Sequence, residues 1–190
     1  MLRDKHKEYA YFEKRLNRLQ KRLREDVEMT DEISEKYLLF HYQDLVLDNE
    51  ELVKLSYSIG ASKEEIFPYY QGILSHLKVI ASQGVPFYRA VDVFALGVLD
   101  DLKSIYEQMD HTDGLIEYFM VYLFHDKIVP FHSILEYQNM IEDNYESVAK
   151  AQGFWYYSHS DAPWYGIHKY DNRGYDGYWS FDTAATCKIK

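Results

Sequence analysis

Apolar residues that recur every three to four positions, reset repeatedly by capping residues and by glycine or proline stops, constrain this chain more than any other feature. In the first segment Tyr9, Phe12, Leu16, Leu19, Leu23 and Val27 keep that spacing, which predicts a helix from about Asp4 to Glu28. Lys and Arg crowd its other face but are interleaved with Glu8, Glu13 and Glu25, a mixture that predicts a solvated helix face. Thr30 or Asp31 can cap a second helix, which runs to "YSIG", where Gly60 suits the left-handed position after a helix end. Ser62 followed by Glu65 fits a capping box and opens a third helix to about Ala81. Pro68 falls in its first turns, where it either starts the helix proper or kinks it.

The stretch "SQGVPF" at 82–87 breaks the pattern and predicts a division into an N-terminal helical lobe, 1–83, and a C-terminal one, 84–190. Beyond it "YRAVDVFALGVL" reads as a buried helix, Asp100 or Asp101 caps a short one, and Thr112 or Asp113 caps another through "LIEYFMVYLFHD". Ser133 with Glu136 repeats the capping box, and that helix is expected to reach about Gln152. No segment alternates strictly enough to build a sheet. The expected class is therefore all-α, a bundle of seven to eight helices with an aromatic-rich irregular C-terminal segment.

Charge narrows the function classes. The 190 residues carry a net charge of −10, unevenly placed. Residues 1–28 hold nine Lys/Arg against six Asp/Glu, whereas residues 29–150 hold 8 against 21. Such an acidic middle repels nucleic acid and attracts basic proteins, with steering that weakens as salt rises. The charged N-terminus lacks a signal-peptide core, no apolar run approaches membrane-spanning length, and Cys187 stands alone. These features predict a cytoplasmic protein with no membrane and no direct nucleic-acid partner.

Motif-borne chemistry is thin. There is no Walker loop, GxGxxG, GxSxG, HExxH or zinc-spaced cysteine pair, and no cofactor is expected. One enzymatic alternative rests on His125-Asp126 at a predicted helix end, as in HD-type metal phosphohydrolases, with His76 or His111 upstream and Asp143 downstream. The plainer account of His125 is a favourable interaction with a helix C-terminus. His159, His168 and Asp161 match no standard metal spacing, and histidines amid Trp and Tyr are expected to hydrogen-bond backbone carbonyls.

What remains is acid beside tyrosine. "KEEIFPYYQG" sets Glu64 and Glu65 before Tyr69 and Tyr70. "LDDLKSIYEQMDHTDGLIEYF" strings out Asp100, Asp101, Glu107, Asp110, Asp113 and Glu117. Protein interfaces favour Tyr anchors ringed by charges that set orientation and on-rate, so these ten residues are the expected partner-binding set.

The stretch "WYYSHSDAPWYGIHKYDNRGYDGYWSFDTAATCKI" resembles the C-terminal segment of the PoNi-type immunity proteins. The resemblance is carried by Trp155, Tyr156, His159, Trp164, Tyr165, His168, Lys169, Tyr175, Gly177, Tyr178, Trp179, Ser180, Phe181, Ala184, Ala185, Lys188 and Ile189. "RDKHKEYAYFEKRLNRL" and "LSYSIGASKEEI" resemble the family's other lobe more weakly, and Asp182 and Thr183 stand where Glu and Ala are usual. The resemblance implies a helical, non-enzymatic inhibitor that neutralises a cognate PoNe-type DNase toxin delivered between competing bacteria. The acidic middle suits a surface that covers a DNase's basic cleft. Trp155, Trp164 and Trp179 are then expected to lock the irregular segment onto the helices.

Overall fold

The computed structural model of the chain describes residues 1–82, 144–180 and 183. The chain divides into two compact units, one of Met1–Gln83 with Gly166–Trp179 and one of Gly84–Tyr165 with Ser180–Lys190. The described residues form four α-helices and two 3-10 turns, with no strand among them. Most of the helices expected between 84 and 143 lie outside the described residues.

In the first unit α1 spans Tyr9–Glu28, α2 Glu35–Ile59 and α3 Lys63–Ser82. α1 starts five residues later than its apolar period suggested. The Asp4 carboxylate accepts the backbone N–H groups of His6 and Lys7, at 2.7 and 3.0 Å, and this side-chain turn competes with helix for those amides. Thr30–Glu32 form a 3-10 turn, and α2 begins after Ser34 rather than after Asp31. Gly60 ends α2 in the left-handed conformation, φ +89°. The capping box at the start of α3 closes reciprocally, with Glu65 N donating to Ser62 Oγ and Ser62 N donating to Glu65 Oε2. The helix continues through Pro68.

α2 is the central helix and packs on both α1 and α3. Its second half therefore loses the one-sided pattern of a surface helix: Leu45, Val46, Leu52, Val53 and Leu55 are buried together with Asp48, Asn49, Glu50 and Ser58. α3 buries a single stripe, Ile66, Tyr70, Ile73, Leu74, Leu77 and Ile80, at helical spacing. Each fully buried Leu or Ile contributes about 1.5 to 3 kcal/mol.

Two acids of α2, the buried Asp48 and the half-buried Glu51, are answered from α1. Arg22 grips Asp48 through both carboxylate oxygens, and Arg15 pairs with Glu51. As α1 numbers fall, their α2 partners rise, so the two helices run antiparallel. The basic face of α1, expected to be solvated, is exposed at Lys14, Arg18, Lys21, Arg22 and Arg24, while Arg15 is half-buried. Arg15 and the exposed Arg22 reach across to α2, where the buried Asp48 needs the charge of Arg22.

Residues 166–179 return to this unit and complete its core. Tyr175 is fully buried, near Phe12 at a ring distance of 6.0 Å, and its hydroxyl donates to Asp4 Oδ2 at 2.6 Å. Tyr175 N in turn donates to Tyr11 Oη at 3.1 Å.

Of the second unit the described residues are 144–165, 180 and 183, and its helix α4 spans Tyr145–Ser158. Asn144 caps it, its side chain accepting from Ser147 N at 2.8 Å. The helix passes the expected end at Gln152 and runs through Gly153 to the aromatic residues beyond. Burial of Trp155, one turn after Ala151 on the same face, offsets the cost of a mid-helix glycine. The first part of the segment expected to be irregular, Phe154–Ser158, is thus helical.

Candidate partner-binding surface

Four of the ten expected partner-binding residues lie in the first unit. Glu64 and Glu65 are exposed in the first turn of α3. Hydrogen bonds with its own backbone N–H and with Ser62 hold the Glu64 carboxyl below its usual range, so it is charged at neutral pH. Glu65 spends one oxygen on the capping box and keeps the rest of its charge in water. Tyr69 is partly buried, its hydroxyl accepting from Gln20 Nε2 at 2.6 Å.

Tyr70 is different. It has no exposed surface and belongs to the buried stripe of α3, so it cannot serve as an interface anchor while the unit is folded. Adjacent helix positions point about 100° apart, which puts Tyr69 at the edge of the core and Tyr70 inside it. Asp100, Asp101, Glu107, Asp110, Asp113 and Glu117 lie outside the described residues, as do His125 and Asp126 of the metal-hydrolase alternative.

The structure adds candidates that acid-and-tyrosine patterns missed. In the first turns of α2, Tyr37 and Phe40 are 56% and 62% exposed. On α4, within the other unit, Phe154 and Tyr157 are 59% and 68% exposed. Large aromatic side chains left in water are the kind that anchor partners. A signal was available for the first pair, because the four-residue apolar run "YLLF" is wider than one buried helix stripe and requires that some of it face outward.

The residues of the aromatic signature divide between the two units. In the first, Trp179 is partly buried, its indole N–H donating to Ser58 Oγ at 2.8 Å while its ring meets Tyr57 edge-on at 4.8 Å. Ser58 Oγ donates onward to the Asp176 carbonyl at 2.8 Å. Gly177 has φ +118°, and a Cβ there would collide with both the indole nitrogen and Ser58 Oγ, so this turn requires glycine. His168 Nδ1 lies 2.7 Å from the Tyr178 hydroxyl, and its ring lies 4.4 Å from that of His6. Burial, then the neighbouring His6, Lys169 and Lys7, lowers the His168 pKa and favours neutral imidazole.

In the second unit, Trp155 stacks on Trp164 with centroids 5.2 Å apart, and Tyr156 stacks on Tyr165 at 4.4 Å. His159 Nδ1 donates to the Trp155 carbonyl at 2.7 Å. Phe181 lies outside the described residues. The histidines of the signature therefore sit in aromatic packing, and among the described residues no group of three His, Cys, Asp or Glu is arranged to hold a metal ion. No helix among the described residues is long and apolar enough to cross a membrane.

Comparison with known proteins gives one finding for the N-terminal part of the chain. Residues 1–109 match a family model described as PoNe immunity protein (PoNi), N-terminal. No curated protein and no solved structure matches the chain. The match covers more than half of the 190 residues and contains α1, α2 and α3; it does not reach the returning segment that completes their core.

Proposed function

Because the chain belongs to the PoNe immunity protein family, we propose that it binds its cognate toxin's DNase domain and blocks it by covering the basic cleft that takes DNA. The observation that carries this reading is the placement of charge. Residues 1–83 are nearly balanced, with 15 acidic and 13 basic side chains, whereas residues 84–143 hold 11 acidic against 3 basic. A nuclease that cleaves DNA must present positive charge to phosphates. A segment with this excess of carboxylates is complementary to it and repels DNA itself.

Within that segment Asp100, Asp101, Glu107, Asp110, Asp113 and Glu117 steer encounter, and Glu64 and Glu65 on the first unit add to the same field. Tyr69 and the exposed Tyr37 and Phe40 supply apolar anchors, and Tyr70 leaves the set. Nothing in this mode of action requires catalysis. The site of action is the cytoplasm, where an incoming nuclease would meet the chromosome.

Co-expression tests the reading in cells: the chain restores growth to bacteria that make the toxin, and an unrelated acidic helical protein does not. Growth that stays arrested despite abundant folded chain would remove the proposal. Reversing Asp100, Asp101 and Asp113 to lysine is expected to slow association by about tenfold and to flatten its salt dependence. Unchanged kinetics would take these three carboxylates out of the mechanism.

A further inference from the structure

The first unit also carries a basic cleft, lined by none of the residues proposed above to meet the toxin. Side chains of α1 and residues 171–174 enclose about 350 Å³, a volume within the range of small-ligand sites. Lys14, Arg15, Arg18 and Arg22 line it from α1 and Arg173 from the returning segment, against two acids, Glu51 and Asp171. Both acids are engaged already, Glu51 with Arg15 and Asp171 with Lys7 at 2.5 Å. Arg22 is held by Asp48. Lys14, Arg18 and Arg173 have no ion-pair partner among the described residues, and all three are exposed.

The cleft has a fixed floor. Burial opposes the charge of Arg15, but the Glu51 pair and its hydrogen bond outweigh burial and raise the Arg15 pKa. Gly174 approaches so closely that a Cβ there would stand 3.0 Å from the guanidinium, so glycine lets this turn close against Arg15. Ion pairs thus orient two arginines while three further cations face water.

Spacing selects the ligand. Lys14, Arg18 and Arg22 recur every four residues, so successive charges stand roughly 6 Å apart along one side of the helix. That row is longer than one carboxylate and suits an anion with charges in series. Guanidinium forks match phosphate oxygens in a bidentate manner. We propose that this cleft binds a ligand carrying two or more phosphate groups in series, with Lys14, Arg18 and Arg173 as its principal contacts. The same chemistry is offered by a free polyphosphate or nucleotide and by a nucleic-acid strand.

Isothermal titration of the full chain with tripolyphosphate, at about 50 mM salt, tests the site, and fluorescence anisotropy with a labelled single-stranded oligonucleotide identifies the source. Saturable binding is expected with either probe, weakened at least about tenfold by Arg18→Glu and by Arg173→Glu and unchanged by Lys63→Glu outside the cleft. Tripolyphosphate alone binding assigns the cleft to free phosphate ligands, and tighter oligonucleotide binding assigns it to nucleic acid. Circular dichroism reports whether the exposed-site variants remain folded. No binding of either probe, or binding indifferent to both variants, overturns the proposal. An acidic peptide that displaces tripolyphosphate at equal charge concentration would also overturn it, marking the cleft as a docking site for protein carboxylates.

Discussion

Replacing Tyr175 with phenylalanine removes one oxygen from the centre of the first unit and leaves the ring in place. That oxygen donates to Asp4 Oδ2 at 2.6 Å, across 171 residues of sequence. Tyr175 is fully buried and Asp4 only 8% exposed, so water does not readily replace the lost donor. The carboxylate keeps the amides of His6 and Lys7, both on Oδ1, while Oδ2 loses the tyrosine. A hydrogen bond to a charged group contributes about 1.5 to 3 kcal/mol, and the abandoned oxygen carries its own desolvation cost. The expected loss is about 2 kcal/mol. It is read as a lower urea midpoint at unchanged m value, or as a fall in Tm of about 4 to 8 °C for a chain of this length. Asp4→Asn weakens the same contact, so the double variant is expected to lose about 1 kcal/mol or more less than the sum of the single ones. A Tyr175→Phe protein within about 0.5 kcal/mol of the parent, or strict additivity with Asp4→Asn, would refute the view that this bond ties the two distant segments together.

Two further substitutions probe the same assembly. Trp179→Ala is expected to cost about 2 to 3 kcal/mol, below the value for a fully buried tryptophan because the ring is partly exposed, and denaturant titration measures it. No loss would mean that Ser58 and Tyr57 do not depend on the indole. Burial pushes the Asp176 carboxyl up to about 6 from 3.8, with Glu51 adding to the shift and Lys54 and Arg15 opposing it. A folded-state pKa above the unfolded one means stability is full below about pH 4 and is lost as pH rises through 6. Asp176→Asn should therefore stabilise the protein by about 1 to 3 kcal/mol at pH 7.5 and by little at pH 4. A gain of equal size at both pH values would show that the charge is not the cause.

Local features of the fold were legible in the sequence. Ser62 and Glu65 announced a capping box that closes as drawn, and Gly60 announced a left-handed helix end. Pairs made by the tertiary structure were not. Asp4 reads as a helix starter until Tyr175 and two local amides occupy it. Arg15 reads as solvated because a helical wheel of α1 does not contain Glu51. Tyr70 was misplaced for a different reason, since Ile66, Ile73 and Leu77 already marked its face as core and the neighbouring acids drew it to the surface instead. The candidate site was least legible at Tyr37 and Phe40, where a continuous apolar run has no period to say which side faces water.

The family match ends at residue 109, yet the core of its helices is finished by Tyr175 from far beyond. The acidic segment 84–143 therefore lies in sequence between two stretches of one folded unit. Loosening the Asp4–Tyr175 contact should lower abundance before it alters any binding contact.

The proposed stoichiometric neutralisation is most directly tested by titrating the purified toxin domain with the chain and recording DNA cleavage. The account predicts a linear fall to zero activity at one chain per toxin, with the break point unchanged by incubation time. Full loss at a small fraction of an equivalent would reveal a catalytic action, and undiminished cleavage in a saturated complex would show that binding does not block the DNase.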